Sequence, residues 1–170
     1  EEFKNDEQFV YGDVLGYDYG DDLNAPSYSY LEGDLTKAYT DKVSDYSRAF
    51  MFLNFFDDVY PGALIVFDRV KSSDASFKKT WLLHSQEEPE ISGNTTTIRR
   101  TELGYNGRLI NETLLPEADD LLIEKIGGEG KEYWVGSEED GKNYKAVTDT
   151  DFENGNWRIE VSPKTQAQEP

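Results

Sequence analysis

The chain has 170 residues, with 35 acidic side chains against 17 basic ones and a formal net charge of −18. That balance repels nucleic acid and anionic membranes at long range, and so speaks against either as a partner. No run of about 18 apolar residues exists to cross a bilayer as a helix, and the absence of cysteine removes disulfides and thiolate metal sites.

The length suits one domain with a real core. Eleven tyrosines, nine phenylalanines and three tryptophans favour strands over helices. Glu1-Glu2-Phe3 carries neither an initiator methionine nor a signal peptide, so the chain is expected to be a piece of a longer or processed protein. Asn94-Thr95-Thr96 and Asn111-Glu112-Thr113 match the glycosylation pattern, a match that chance often supplies.

In chain order, Glu1–Gln8 is charged, and Phe9-Val10-Tyr11 is expected to start a first strand. Asp13–Asn24 reads as a turn-rich acidic loop. Ser27–Leu31 alternates small and large residues, as a half-buried strand does. Gly33–Tyr39 fits either a short helix capped by Asp34 or a continuing sheet, and the sheet is preferred. Tyr46–Phe56 reads as a central strand, with Phe50, Phe52 and Phe56 on one face and Met51, Leu53 and Phe55 on the other. Asp57–Gly62 is a turn broken by Pro61-Gly62, so Ser47–Phe56 and Ala63–Val70 are expected to pair antiparallel. Pro61–His84 is the stretch around which the chain is organised: two long apolar strands, Ala63–Phe67 and Phe77–His84, joined by the polar Lys71–Ser76. Apolar residues at successive positions predict strands buried on both sides.

Beyond His84 come a threonine-rich strand at Thr95–Thr101, a hairpin signal at Asn106-Gly107 and a returning strand at Arg108–Leu115. Leu121–Ile126 is the next strand, closed by Gly127-Gly128-Glu129-Gly130, which reads as a tight turn because it lacks the Lys-Ser/Thr of a phosphate loop. Tyr133–Val135 is a short strand. Trp157–Val161 alternates, with Trp157, Ile159 and Val161 inward and Arg158 and Glu160 outward. The total is about ten antiparallel strands, which predicts an all-β antiparallel sandwich; the motif set given below implies that one edge strand is missing. Residues 33–163, the span of the motif set given below, are expected to form this sandwich, with 1–32 belonging to it without a placed motif and 164–170 as a polar tail.

His84 is the only histidine, the residue type most often used as a general acid or base. A hydrogen-bonded strand-end histidine outweighs a catalytic base, and no strained Gly-x-Ser-x-Gly nucleophile turn accompanies it. Asp18, Asp21 and Asp22, or Glu138, Glu139, Asp140 and Asn143, offer oxygen ligands of the kind calcium takes. Neither set has EF-hand spacing, and solvated loops are the better reading. Lys78-Lys79 and Arg99-Arg100 are the basic doublets, and with Arg108 they could make a strip that meets an anionic sugar. The plainer reading is solvated strand faces. His84, Lys79, Arg100 and Arg108 are the candidate substrate contacts. Arg48, Asp68, Arg69, Arg158 and Glu160 are assigned to structural ion pairs across neighbouring strands, because a lone charge in an apolar strand is costly.

Several motifs come in a fixed order: Gly33-Asp34-Leu35-Thr36-Lys37-Ala38-Tyr39, Arg48 opening an aromatic strand, Val66-Phe67-Asp68-Arg69-Val70, Lys79-Thr80-Trp81-Leu82-Leu83-His84-Ser85, Thr113-Leu114-Leu115-Pro116-Glu117, Ile126-Gly127-Gly128-Glu129-Gly130 and Trp157-Arg158-Ile159-Glu160-Val161-Ser162-Pro163. The set resembles the β-sandwich region of heparinase II/III-like polysaccharide lyases. The resemblance implies a helical toroid elsewhere in the parent protein, an acidic polysaccharide bound between toroid and sandwich, and β-elimination next to a uronic acid, in which a base removes the C5 proton. It also implies a zinc site in the parent, at His-x-His and Ala-His-Asn-Thr-like motifs. This chain has neither motif, so no catalytic or metal residue is carried over, and the chain by itself is expected to be inactive and to need no cofactor. His84 matches the family's Trp-Leu-x-His pattern. The expectation is a bacterial, periplasmic or extracellular protein. The alternative is a non-catalytic carbohydrate-binding or cell-surface sandwich.

Overall fold

The computed structural model describes residues 12–137, 139–144 and 155–170. The strand start expected at Phe9-Val10-Tyr11, and Glu138 of the second acidic loop, lie outside the described residues. The chain is all-β, built of antiparallel sheets of the β-sandwich class, with helical turns only at Thr36–Lys42 and Glu102–Gly104 among the described residues. No described helix is long and apolar enough to cross a membrane. Two compact units make up the chain, residues 1–77 with 166–170, and residues 78–165.

Among the described residues the first unit is a four-stranded meander in the order β1 (Asp13–Tyr19), β2 (Tyr28–Asp34), β3 (Val43–Asn54) and β4 (Gly62–Ser72). The expected pairing of β3 with β4 is present, with Arg48 opposite Asp68 and Phe50 opposite Val66. The turn between them closes on Asp57, whose carboxylate accepts the Val59 and Tyr60 amides at 2.8 and 2.7 Å. Those two bonds hold the Asp57 carboxyl below its ordinary range. Gly62 is obligatory here: a Cβ would stand 2.6 Å from the Leu53 carbonyl oxygen.

Tyr46 and Arg48 share the face of β3 that the helical turn Thr36–Lys42 covers. Tyr46 is only 4% exposed. The Thr36 hydroxyl accepts its amide at 2.9 Å, and the Tyr39 ring meets its ring edge-on at 5.1 Å. The Arg48 guanidinium lies 5.8 and 5.7 Å from the Tyr46 and Phe50 ring centres. Its Nε and Nη2 each donate to one oxygen of Asp68 at 2.6 Å. This fork raises the Arg48 pKa, and burial, reinforced by the Asp68 charge, raises that of the Tyr46 phenol. The last residues also join this unit: the Ser72 amide donates to the Gln168 carbonyl at 3.0 Å, and Lys71 pairs with Glu169 at 2.6 Å.

Four expectations are corrected here. Asp13–Asn24 is not all loop: its first half is β1, where Tyr17 and Tyr19 pair with β2 and the Tyr28 hydroxyl donates to Asp18 at 2.8 Å. After Asp34 the chain turns into a short 3-10 helix rather than continuing the sheet, because the Asp34 carboxylate accepts the Thr36 amide at 2.8 Å and bends the backbone. The strands at the centre of the chain are not buried on both faces. Phe52, Leu64 and Phe67 are 46–59% exposed, because the helical turn is the one element, strands apart, that makes substantial contact with β3. Arg69 faces solvent opposite Ser47 and forms no ion pair among the described residues; the adjacent Asp68 points to the other face, where Arg48 takes it.

Among the described residues the second unit holds two three-stranded sheets and a two-stranded ribbon. One sheet has the order β5 (Trp81–Ser85), β12 (Trp157–Pro163), β9 (Leu121–Gly127); the other is β6 (Glu90–Ser92), β7 (Thr95–Arg100), β8 (Gly107–Glu112); the ribbon pairs β10 (Trp134–Val135) with β11 (Lys142–Asn143). The strand expected from Phe77 begins only at Trp81, since the stretch before it makes no ladder. It lies in a different unit from β4, so the two apolar runs are not partners. The connection between β7 and β8 runs from Thr101 to Asn106 rather than through a two-residue Asn-Gly turn. The Tyr105 amide donates to the Glu102 carbonyl at 3.0 Å and closes the bend before Asn106 is reached. Ile159 and Val161 of the central strand β12 are buried, at 0% and 5% exposure.

Two outcomes follow from the first unit. Arg48→Ala leaves Asp68 half-buried without its fork, so stability falls by roughly 1–3 kcal/mol and the melting temperature by several degrees. A double-mutant cycle with Asp68→Ala measures the coupling, and a cycle that closes at zero would refute it. At Asp57 the folded pKa is depressed, so its contribution is present above the unfolded pKa and lost as pH falls through the folded value. The Val59 and Tyr60 amide resonances should therefore titrate with a midpoint below 3.8.

Candidate functional site

The site grows from the second face of β12. In the register Arg158 lies between His84 of β5 and Ile126 of β9, and Glu160 lies between Leu82 and Glu124. Residues two apart in a strand share a face, and the Arg158 Nε donates to Glu160 at 2.8 Å. These side chains are only 13% and 17% exposed. They are therefore not the outward, solvated pair that strand alternation predicted, and they pair along one strand rather than across two. The reason is the β10–β11 ribbon: the Arg158 Nη1 also donates to the Trp134 carbonyl, which ties the ribbon over this face.

The ribbon is fixed by short polar contacts. The Glu132 carboxylate accepts the Gly130 amide at 3.0 Å and the Asn143 side-chain amide at 2.9 Å, while Asn143 Oδ1 accepts the Tyr133 amide at 2.7 Å. Between ribbon and sheet lies a cleft of about 580 Å³, lined by His84, Glu132, Tyr133, Trp134, Tyr144 and Trp157 together with Ile126, Val135, Gly155 and Arg158. Aromatic rings dominate it, and its charged groups are already engaged, Glu132 with Gly130 and Asn143 and Arg158 with Glu160 and the Trp134 carbonyl.

The Gly127-Gly128-Glu129-Gly130 run makes room for this arrangement. Gly128 has a φ of +78°, and a Cβ there would lie 2.8 Å from the Trp157 ring; a Cβ on Gly127 would lie 2.2 Å from the Asn156 carbonyl oxygen. The run is a turn against which an indole packs, in keeping with its lack of a phosphate-loop sequence.

Of the candidate contacts, His84 alone lines the cleft. Arg100 is occupied by Glu87 at 3.3 Å, by Gln86, and by the Tyr105 ring at 4.9 Å. Lys79 is half-buried ahead of β5 and is absent from the cleft lining. Arg108 is exposed on β8, opposite Arg99. Trp134, Tyr144, Trp157 and Glu132 were not singled out as contacts. The available signal was the density of aromatics around the glycine run and near Asn143. The acidic loops use their carboxylates locally: Asp22 accepts the Asn24 amide at 2.9 Å, and Asp140 accepts that of Ser137 at 3.1 Å. Among the described residues no three His, Cys, Asp or Glu side chains converge in a way that could hold a metal ion.

Compared with models of protein families and with characterised proteins, the chain matches none.

Arg158 is the joint between sheet and ribbon, so Arg158→Ala should destabilise by about 3 kcal/mol, the range for breaking a buried pair, and should free the ribbon. Arg158→Lys should rescue little, because an ammonium cannot reproduce the planar fork to two acceptors. Amide exchange at Trp134 and Asn143 reads the ribbon directly, and protection unchanged in Arg158→Ala would sink the assignment.

Proposed function

We propose that this chain is the β-sandwich portion of a heparinase II/III-like polysaccharide lyase and that it contacts the sugar chain in the cleft beside Trp157. The cleft carries the reading. Pyranose rings present a flat face of C–H groups that stacks on indole and phenol rings, while their hydroxyls seek a few fixed polar partners. A concave site lined by Tyr133, Trp134, Tyr144 and Trp157, with His84 and Glu132 among its walls, offers both. The ordered motifs support the family. With no His-x-His and no His-Asn-Thr in the sequence, the chain's part is to bind, and elimination belongs to parts of the parent protein that carry those motifs. A periplasmic or extracellular location, where such polymers are met, goes with this reading.

One observation favours the second reading, a non-catalytic carbohydrate-binding module. Arg158 and Glu132 are spent on Glu160, Trp134, Gly130 and Asn143, so the cleft has no surplus positive charge and suits a neutral sugar as well as an acidic one.

Affinity electrophoresis through gels carrying heparin, chondroitin sulfate, alginate or a neutral glucan separates the two. Tyr144 is 57% exposed, so Tyr144→Ala should leave the melting temperature unchanged and weaken retention about tenfold, the loss of one stacking partner. Retention by acidic polymers supports the lyase reading, and retention by the neutral glucan alone supports the binding module. Retention by none, or retention indifferent to Tyr144→Ala and Trp134→Ala, overturns the cleft assignment. The chain by itself should release no unsaturated uronate, read by its ultraviolet absorbance.

A further inference from the structure

A different part of the second unit carries a charge arrangement that packing does not explain. In the β6-β7-β8 sheet, Arg99 lies directly opposite Arg108. Opposed residues of an antiparallel pair project from one face with Cβ atoms about 4.5–5.5 Å apart, and like charges so placed are destabilising. Both arginines are exposed, and neither has a hydrogen-bond or ion-pair partner among the described residues. Several other cations of this unit have a carboxylate partner: Lys78 with Glu124 at 3.5 Å, Lys125 with Glu88 at 2.6 Å, Arg100 with Glu87 at 3.3 Å. In a chain with 35 acidic residues, an unmatched arginine pair is an exception. The carboxylates that share this face are Glu90, opposite Thr97 in the next row, and Glu112, opposite Thr95 in the row after that. Neither forms an ion pair with the arginines.

We propose that Arg99 and Arg108 form an oxyanion site that takes one sulfate or carboxylate group between their two guanidinium forks. Each fork offers parallel N–H donors matched to such a group, and the bound anion turns a repulsive pair into a bridged one. The group is either a free ion or one carried on a sugar chain; the second source rests on the carbohydrate reading above, and the first does not.

The test uses sodium sulfate against sodium chloride at equal ionic strength, then a sulfated disaccharide and a non-sulfated uronate disaccharide. Arginine side-chain Nε resonances of the intact chain report binding. Sulfate should shift the Arg99 and Arg108 resonances saturably and raise the melting temperature. Arg108→Gln should weaken that response about tenfold or more. Arg108→Glu should abolish it while raising the melting temperature of the unliganded protein, because an opposed like pair becomes an opposed ion pair, and this shows that the variant folds. Tighter binding of either disaccharide than of sulfate assigns the group to a sugar, with the sulfated and uronate arms separating sulfate from carboxylate; sulfate alone assigns it to a free ion. Tyr144→Ala should leave all these shifts unchanged even where it abolishes retention by polysaccharide, so failure of the cleft and failure of this site are told apart. Absence of a saturable shift, an equal shift in Arg108→Gln, or loss of the shift in Tyr144→Ala overturns the proposal.

Discussion

The second unit depends on one strand having two different faces. Strand β12 is paired with β9 along its length and with β5 from Trp157 to Val161, so the backbone of that stretch is hydrogen-bonded on both edges. One face carries Ile159 and Val161 into the core. The other carries Arg158 and Glu160, which are also withdrawn from water and so must satisfy each other. The remaining donors of Arg158 turn this requirement into a construction: by reaching the Trp134 carbonyl they hold a ribbon too short to be stable alone. The cleft is the space that this tether encloses on one side.

The first unit solves a similar problem with less cover. Its meander buries Tyr46 under one helical turn and pairs Arg48 with Asp68 beneath it, but the rest of the sheet presents Phe52, Leu64 and Phe67 to solvent. Apolar strands of this kind invite association. The surrounding acidic charge, −18 over the chain, opposes it by mutual repulsion.

Glycine and aromatic side chains act together at the cleft. Trp157 approaches the turn at Gly127 and Gly128 because neither has a side chain to displace it. The same turn leads into Glu132 and Tyr133, so one short stretch fixes an indole, a carboxylate and the start of the ribbon. The charges of the cleft are spent on neighbouring groups, so what it offers is ring faces and shape rather than charge.

The all-β class, the β3–β4 partnership, the Asp57 turn and the inward set Ile159 and Val161 were legible from the sequence, because each is governed by residues close in the chain: alternation, β-branched and aromatic content, and a Pro-Gly breaker. What covers each face was not. Alternation says that Arg158 and Glu160 lie on the side opposite Ile159, but whether that side meets water or a ribbon some 24 residues away depends on tertiary contacts that leave no local periodicity. For the same reason the apolar runs of β3 and β4 promised burial that a second layer would have had to supply. The residues that could line a sugar site are visible as types, while their convergence on one cleft, like the opposition of Arg99 and Arg108, is set by strand register and by a tether between distant segments, which only the folded chain determines.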